Sequence, residues 1–208
     1  SFEYFRIKGN QKYKTINYSV EGDWSGASFL LIAGAVGGCV RVNNLDHHSS
    51  LQADKRIIDA LRLCGAGVKI GYDNVEVYKN DLEGFAFDAE DCPDLFAPLV
   101  ALICCCKGKS VISGVERLKH KESDRGLALQ SEFTKLGAKI KISGNKMEID
   151  GKILKGGEVN SHNDHRIAMA CAIAGIGSKQ GIKINDASCV SKSYPGFFVD
   201  LDSIIKAD

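Results

Sequence analysis

Apolar and polar positions fall into a plan that recurs three times along the chain. In each copy an Asp opens an apolar run of small residues at helical length: Asp23 before 25–36, Asp94 before 95–106, and Asp164 before 166–175. The three aspartates stand about 70 positions apart. Each run is followed by a glycine and a β-rich stretch, Gly38 with 39–42, Gly108 with 110–113 and Gly181 with 182–184. In the first two copies a polar loop then leads to an amphipathic helix. Ile57, Ile58, Leu61 and Cys64 mark one, Leu129, Phe133 and Leu136 the other, at helical spacing. Both end in Gly-Ala, at Gly65-Ala66 and Gly137-Ala138, as helix C-caps do. Hairpins pairing 68–70 with 75–78 and 139–142 with 147–149 close these copies, with turns at Asp73-Asn74 and Gly144-Asn145. The third copy ends instead in 195–205, where Pro195 suits a first helical turn.

A period of about 70 residues exceeds that of solenoids, so the pattern predicts three βαβ-type units around a shared core. A helix such as 95–106, apolar nearly all round, must lie inside that core. The expectation is one α/β domain over 21–208, with its first helices buried and their starts converging. Residues 1–20 alternate, as in Tyr13-Lys14-Thr15-Ile16-Asn17-Tyr18-Ser19-Val20, and read as a strand or an extended connection. Beginning at Ser1 without Met, the chain looks like a piece of something longer.

Composition narrows the function. Lys plus Arg number 27 against 26 Asp plus Glu, a net charge of +1, so no basic field points to nucleic acid or an anionic membrane. Any selectivity for anions must be local. No stretch of the sequence reads as a signal peptide or as an apolar run of bilayer length. The eight cysteines include no CxxC pair, and Cys104-Cys105-Cys106 end an apolar run, which suits buried thiols in a reducing cytoplasm.

Local charge is densest at 117–125, where seven of nine residues are ionisable: Arg117, Lys119, His120, Lys121, Glu122, Asp124 and Arg125. Such a run is either a solvated helix start or a site sharing its space with an anion. The neighbours favour a site. Three buried helices running in one direction would present unpaired N–H groups and positive dipole ends to one rim. Asp23, Asp94 and Asp164 have N-capping as their ordinary role there, and one of the three can instead face the cleft as a base. Arg166, flanked by Ile167, Ala168 and Met169, needs a carboxylate or phosphate partner. His162 and His165 lack a third and fourth metal ligand. Lys192 occupies in the third copy the place that 117–125 occupies in the second. The rim then holds Lys121, Arg125, Arg166 and Lys192 with Asp94 and Glu122, which suits a small substrate bearing phosphate and carboxylate, with two carboxylates as acid and base. Nucleotide motifs fail: Gly65-Ala66-Gly67 leaves a helix where a dinucleotide fingerprint enters one, and Gly108-Lys109-Ser110 has Ile103 where a P-loop needs glycine.

Five ordered stretches carry a resemblance across nearly the whole chain. They are 21–29 (Glu-Gly-Asp-Trp-Ser-Gly-Ala-Ser-Phe), Pro93-Asp94, Lys121-Glu122-Ser123-Asp124-Arg125, 163–169 (Asn-Asp-His-Arg-Ile-Ala-Met) and Lys192-Ser193-Tyr194-Pro195. Together they resemble the C-terminal half of the 3-phosphoshikimate 1-carboxyvinyltransferase, or EPSP synthase, family. The resemblance implies a domain of three βαβαββ units forming an inside-out α/β barrel, with the active site between it and an N-terminal domain to which residues 1–20 connect. It implies transfer of the enolpyruvyl group of phosphoenolpyruvate to the 5-hydroxyl of shikimate 3-phosphate, without metal or organic cofactor, in a cytoplasmic enzyme that is a monomer at full length. Carried over by residue, Asp94 takes the hydroxyl proton, Glu122 protonates the methylene carbon, and Lys121 binds the sugar acid and shares proton transfer. Arg125, Arg166 and Lys192 clamp phosphoenolpyruvate, with His165 beside them. Arg117 stands where some relatives have a substrate-contacting asparagine. The rival within the fold is the enolpyruvyl transferase acting on UDP-N-acetylglucosamine, against which 121–125 argues; the rival outside enzymes is a repeat-built binding module.

Overall fold

A computed structural model describes residues 4–205. The predicted plan is realised as six α-helices and nine strands among those residues. The first unit runs α1 (Trp24–Gly37), β1 (Cys39–Asn43), α2 (Ile57–Leu63), β2 (Gly67–Ile70) and β3 (Asn74–Tyr78). The second runs β4 (Ala86–Asp88), α3 (Phe96–Ile103), β5 (Gly108–Ser113), α4 (Arg125–Lys135), β6 (Lys139–Ser143) and β7 (Lys146–Gly151), a complete βαβαββ order. The third runs β8 (Gly157–Asn160), α5 (His165–Ile176), β9 (Ile182–Asn185) and α6 (Phe197–Ile205).

Helices α1, α3 and α5 pack on one another, and the sheets lie outside them. That inversion follows from composition. All eight residues of α3 are buried, as are all but two of the fourteen in α1, so neither helix has a face to offer water. The sheets are β1-β3-β2, antiparallel; β4-β5-β7-β6, in which only the β4 and β5 pair is parallel; and the parallel pair β8-β9. Val40, Val75, Val77, Met147 and Ile149 point inward from these sheets onto the helices, and the alternating burial along β3 and β7 is that of strands with one wet face.

Two strands, β4 and β8, escaped the sequence pattern. Each has only three or four residues and exists through its parallel partner, β5 or β9. In the first unit the equivalent place holds no strand; the Gly22 N–H donates to the Asn44 carbonyl at 2.8 Å and Asn44 Nδ2 to the Val20 carbonyl at 3.5 Å. Residues 4–20 form no regular element and are exposed, Tyr13 fully so. No edge of the described sheets runs beside them to fix the alternation as a strand. The first hairpin turns over 71–73, slightly earlier than expected, and the second at Gly144-Asn145 as expected. Helix α3 stops at Ile103, so the three consecutive cysteines form the turn after it; Cys104 and Cys106 are buried.

Asp23 caps α1 by accepting the N–H groups of Ser25 and Gly26, each at 3.0 Å. Replacing Asp23 by Ala should lower stability by about 1 kcal/mol, seen as an earlier urea midpoint. An unchanged midpoint would show that the α1 start is held by other means.

Candidate active site

The aspartates that begin the three inner helices do not play one role. Asp23 and Asp164 are N-caps, the latter accepting the Arg166 N–H at 3.0 Å. Asp94 caps nothing. The 3-10 turn Pro93–Leu95 precedes α3 and carries Asp94 within it, so its side chain is free to leave the helix end. It leaves toward three cations. Its Oδ1 meets Lys121 Nζ at 3.1 Å and Arg125 Nη1 at 2.9 Å, and its Oδ2 meets Arg166 Nη2 at 3.2 Å. Of the three candidates, Asp94 is therefore the carboxylate that faces the cleft.

Arg125, first residue of α4, has no exposed side-chain surface. Its guanidinium is shared among three carboxylates. Besides Asp94 it donates to Glu122 through Nη2, and to Asp164 through Nε at 2.9 Å and Nη2 at 3.3 Å. Asp164 is fully buried and also accepts the Ser123 hydroxyl at 3.2 Å, so it caps α5 and seats Arg125 at once. That second role has no signal in the sequence, where Asp164 reads as a cap alone.

His165 lies within α5 with Nδ1 at 3.6 Å from Glu122 Oε1, too long for a hydrogen bond, and this nitrogen has no other partner. Burial, followed by the neighbouring Arg166, pushes the imidazole below its ordinary pKa. Burial alone would raise the Asp94 carboxyl, but Arg166, Lys121 and Arg125 outweigh it and hold the group below the usual carboxylate range. Lys192 ends the 3-10 turn Ala187–Lys192, is exposed, and donates to the Asn163 carbonyl at 2.8 Å, two residues ahead of His165. His162 faces Glu132 instead, at 2.8 Å, so the two histidines serve different carboxylates.

Seven of the eight expected residues thus meet around the starts of α3, α4 and α5. Arg117 does not join them: it is exposed in the turn Val115–Leu118 and its side chain makes no hydrogen bond or ion pair to the cluster. Formal charges balance, Lys121, Arg125 and Arg166 against Asp94, Glu122 and Asp164, leaving Lys192 as the cation at the edge. The rim is open to solvent, with Asp94 and Lys121 each about 30% exposed on the side chain. A cavity of about 530 Å³ lies elsewhere, against β5, β6 and β7, and its lining contains none of these residues.

These features define the class, an α/β domain of three related units with a wall of opposed charges where its inner helices begin. A sequence model of the family described as EPSP synthase (3-phosphoshikimate 1-carboxyvinyltransferase) matches residues 1–201, and the chain belongs to that family. It is 43% identical over 205 residues to the 3-phosphoshikimate 1-carboxyvinyltransferase of Clostridium novyi, covering 98% of this chain and 47% of the relative. With that of Pyrococcus abyssi the identity is 44% over 201 residues, covering 97% and 48%. The solved EPSP synthase of Acinetobacter baumannii superposes with a TM-score of 0.75 at 25% identity, over 88% of this chain and 46% of that one. The chain spans about half the length of the curated relatives it matches.

The neutral form of His165 is favoured in the fold, so its contribution to stability is complete above the unfolded value of about 6.5 and is lost as pH falls below it. Ring-carbon chemical shifts should therefore show His165 titrating at lower pH than an unfolded histidine. A ring titrating at or above the ordinary value would contradict the burial argument.

Proposed function

We propose that this chain is the C-terminal half of an enzyme that transfers the enolpyruvyl group of phosphoenolpyruvate to the 5-hydroxyl of shikimate 3-phosphate, releasing phosphate. The observation that supports it best is that Asp94 and Glu122, from different parts of the second unit, are separated by one buried guanidinium and flanked by Lys121 and Arg166. Two carboxylates kept apart by cations can divide the labour of base and acid. Asp94, kept ionised by its neighbours, accepts the proton of the 5-hydroxyl as that oxygen bonds to the central carbon of phosphoenolpyruvate. Glu122 delivers a proton to the methylene carbon, giving a tetrahedral ketal. Phosphate then leaves and the methylene carbon returns its proton, so atoms and electrons balance without a redox partner, metal or organic cofactor.

Arg166 and Lys192, with His165 beside them, form the clamp for the phosphate and carboxylate of phosphoenolpyruvate; Lys121 spans the two substrates. Arg125 holds both catalytic carboxylates in register, and its Nη atoms become available to the anion as Asp94 and Glu122 turn to their substrates. Arg117 enters only if the 3-10 turn that carries it swings toward the rim. The openness of the rim argues for a second body that closes over it and excludes water. We assign that role to an N-terminal domain, for which the exposed apolar side chains of 4–20, among them Ile7, Tyr13, Ile16 and Tyr18, offer an attachment. The domain begins near residue 21 in this reading, and the complete enzyme is a cytoplasmic monomer. Among the described residues no helix is long and apolar enough to cross a membrane.

The full-length polypeptide should release phosphate when given both substrates, while this chain alone should show negligible turnover. Activity of the chain by itself, or none from the full-length polypeptide, would contradict the proposal. In the full-length polypeptide Glu122→Gln should lower kcat by about 100-fold or more, within the range general acids contribute, with substrate dissociation constants little changed. Unchanged kcat would remove Glu122 as the acid.

A further inference from the structure

The loop that delivers Asp164, His165 and Arg166 to the rim is held in an unusual backbone shape. His162 and Asn163 are both at positive φ, 53° and 55°, a region that residues other than glycine enter at a cost, smaller for Asn and His than for most, and two in succession need support from their surroundings. The surroundings here are a carboxylate from another helix. Glu132, in the third turn of α4, is 1% exposed on its side chain. Its Oε2 accepts the Asn160 N–H at 2.9 Å, and its Oε1 meets His162 Nε2 at 2.8 Å. Lys135 Nζ closes the set at 2.8 and 2.7 Å from the two oxygens. Burial alone would raise this carboxyl, yet Lys135, the Asn160 N–H and His162 bring it down to about 2, so it is a fixed anion at working pH.

A solvated Glu–Lys pair on a helix needs neither burial nor a backbone donor from a distant loop. Glu132 has both, and the loop it grips has a direct product. Once Asn163 is turned to positive φ, its carbonyl is the acceptor for Lys192 Nζ. The same helix carries Arg125 at its head.

We propose that Glu132 is a positioning residue that clasps the loop between β8 and α5 onto α4, setting the distance between the Arg166, His165 and Lys192 side of the anion clamp and the Arg125 side. This rests on the function proposed above. None of its own contacts reaches the rim residues, so its effect on catalysis is exerted wholly through the loop.

The test uses the full-length polypeptide with Glu132→Gln, which keeps the size of the side chain and removes its charge. The KM for phosphoenolpyruvate should rise about tenfold, the loss expected when a hydrogen bond to a charged group is weakened, while the KM for shikimate 3-phosphate stays within about twofold. Should that variant fail to fold, His162→Asn replaces it. The His162 side chain is 39% exposed, and Asn tolerates the left-handed backbone but is too short to reach Glu132. It should give the same split at smaller size. Equal weakening for both substrates, or slower turnover with both KM values intact, would reduce Glu132 to a stability element and overturn the proposal. A wild-type polypeptide without turnover would sink the preceding reading and leave the clasp to hydrogen exchange. Exchange at the Asn160 and Asp164 amides about tenfold faster in either variant, with the α5 interior unchanged, supports it; unaltered exchange overturns it.

Discussion

The buried guanidinium of Arg125 is the constraint on which the rest of this structure depends. A charge with no exposed side-chain surface is tolerable only when it is paired and hydrogen-bonded, and here every guanidinium nitrogen has a carboxylate partner, from three places: the 3-10 turn before α3, the loop before α4, and the first residue before α5. Removing one partner of a buried pair typically costs about 3–5 kcal/mol. Arg125 therefore welds together the starts of three helices that follow one another at about 30 and 40 residues along the chain. The same weld fixes where Asp94 and Glu122 stand relative to each other, so the stability of the rim and the spacing of its carboxylates are one property.

The threefold plan explains why the charges gather in one place, and its departures explain what they can do. Units one and three keep the Asp cap. Unit two replaces it with a proline-led 3-10 turn, which releases Asp94 into the cleft. Unit one contributes little to the rim beyond a part-buried hydrogen bond between Ser25 and Asp54, whose carboxyl is raised chiefly by burial and also by the field of Asp94. A repeated scaffold thus carries a site that is not itself repeated.

Much of this was legible in the sequence, for identifiable reasons. The inner helices were visible because they are apolar on every face, and the outer ones because Leu129, Phe133 and Leu136 recur at helical spacing. The rim residues were visible because Arg166 stands among core residues and 121–125 is too dense in charge to be ordinary. Short strands held only by a parallel neighbour, Ala86–Asp88 and Gly157–Asn160, left no period to detect. The alternation of 13–20 gave the right kind of side-chain pattern without saying what would pair with it. Arg125 could be read as an anion binder, but not as a cation already engaged by three carboxylates. Glu132 was hidden most completely, since a Glu three residues before a Lys on a helix looks like any solvated pair until its burial is known.

One consequence of the interior packing concerns how the chain acquires its shape. Helices α1 and α3 lack a polar face and α5 has polar residues only at its start, His165 and Arg166, so the inner side of each unit stays uncovered until the other two arrive. Their meeting joins residues separated by about 70 and 140 positions, a topology of high contact order in which long loops must close before the contacts reward it. A single unit therefore shields its inner helix only on the side that its own strands cover, as β1 and β3 cover α1, and during synthesis the opposite side of the first helix stays open until the last is made.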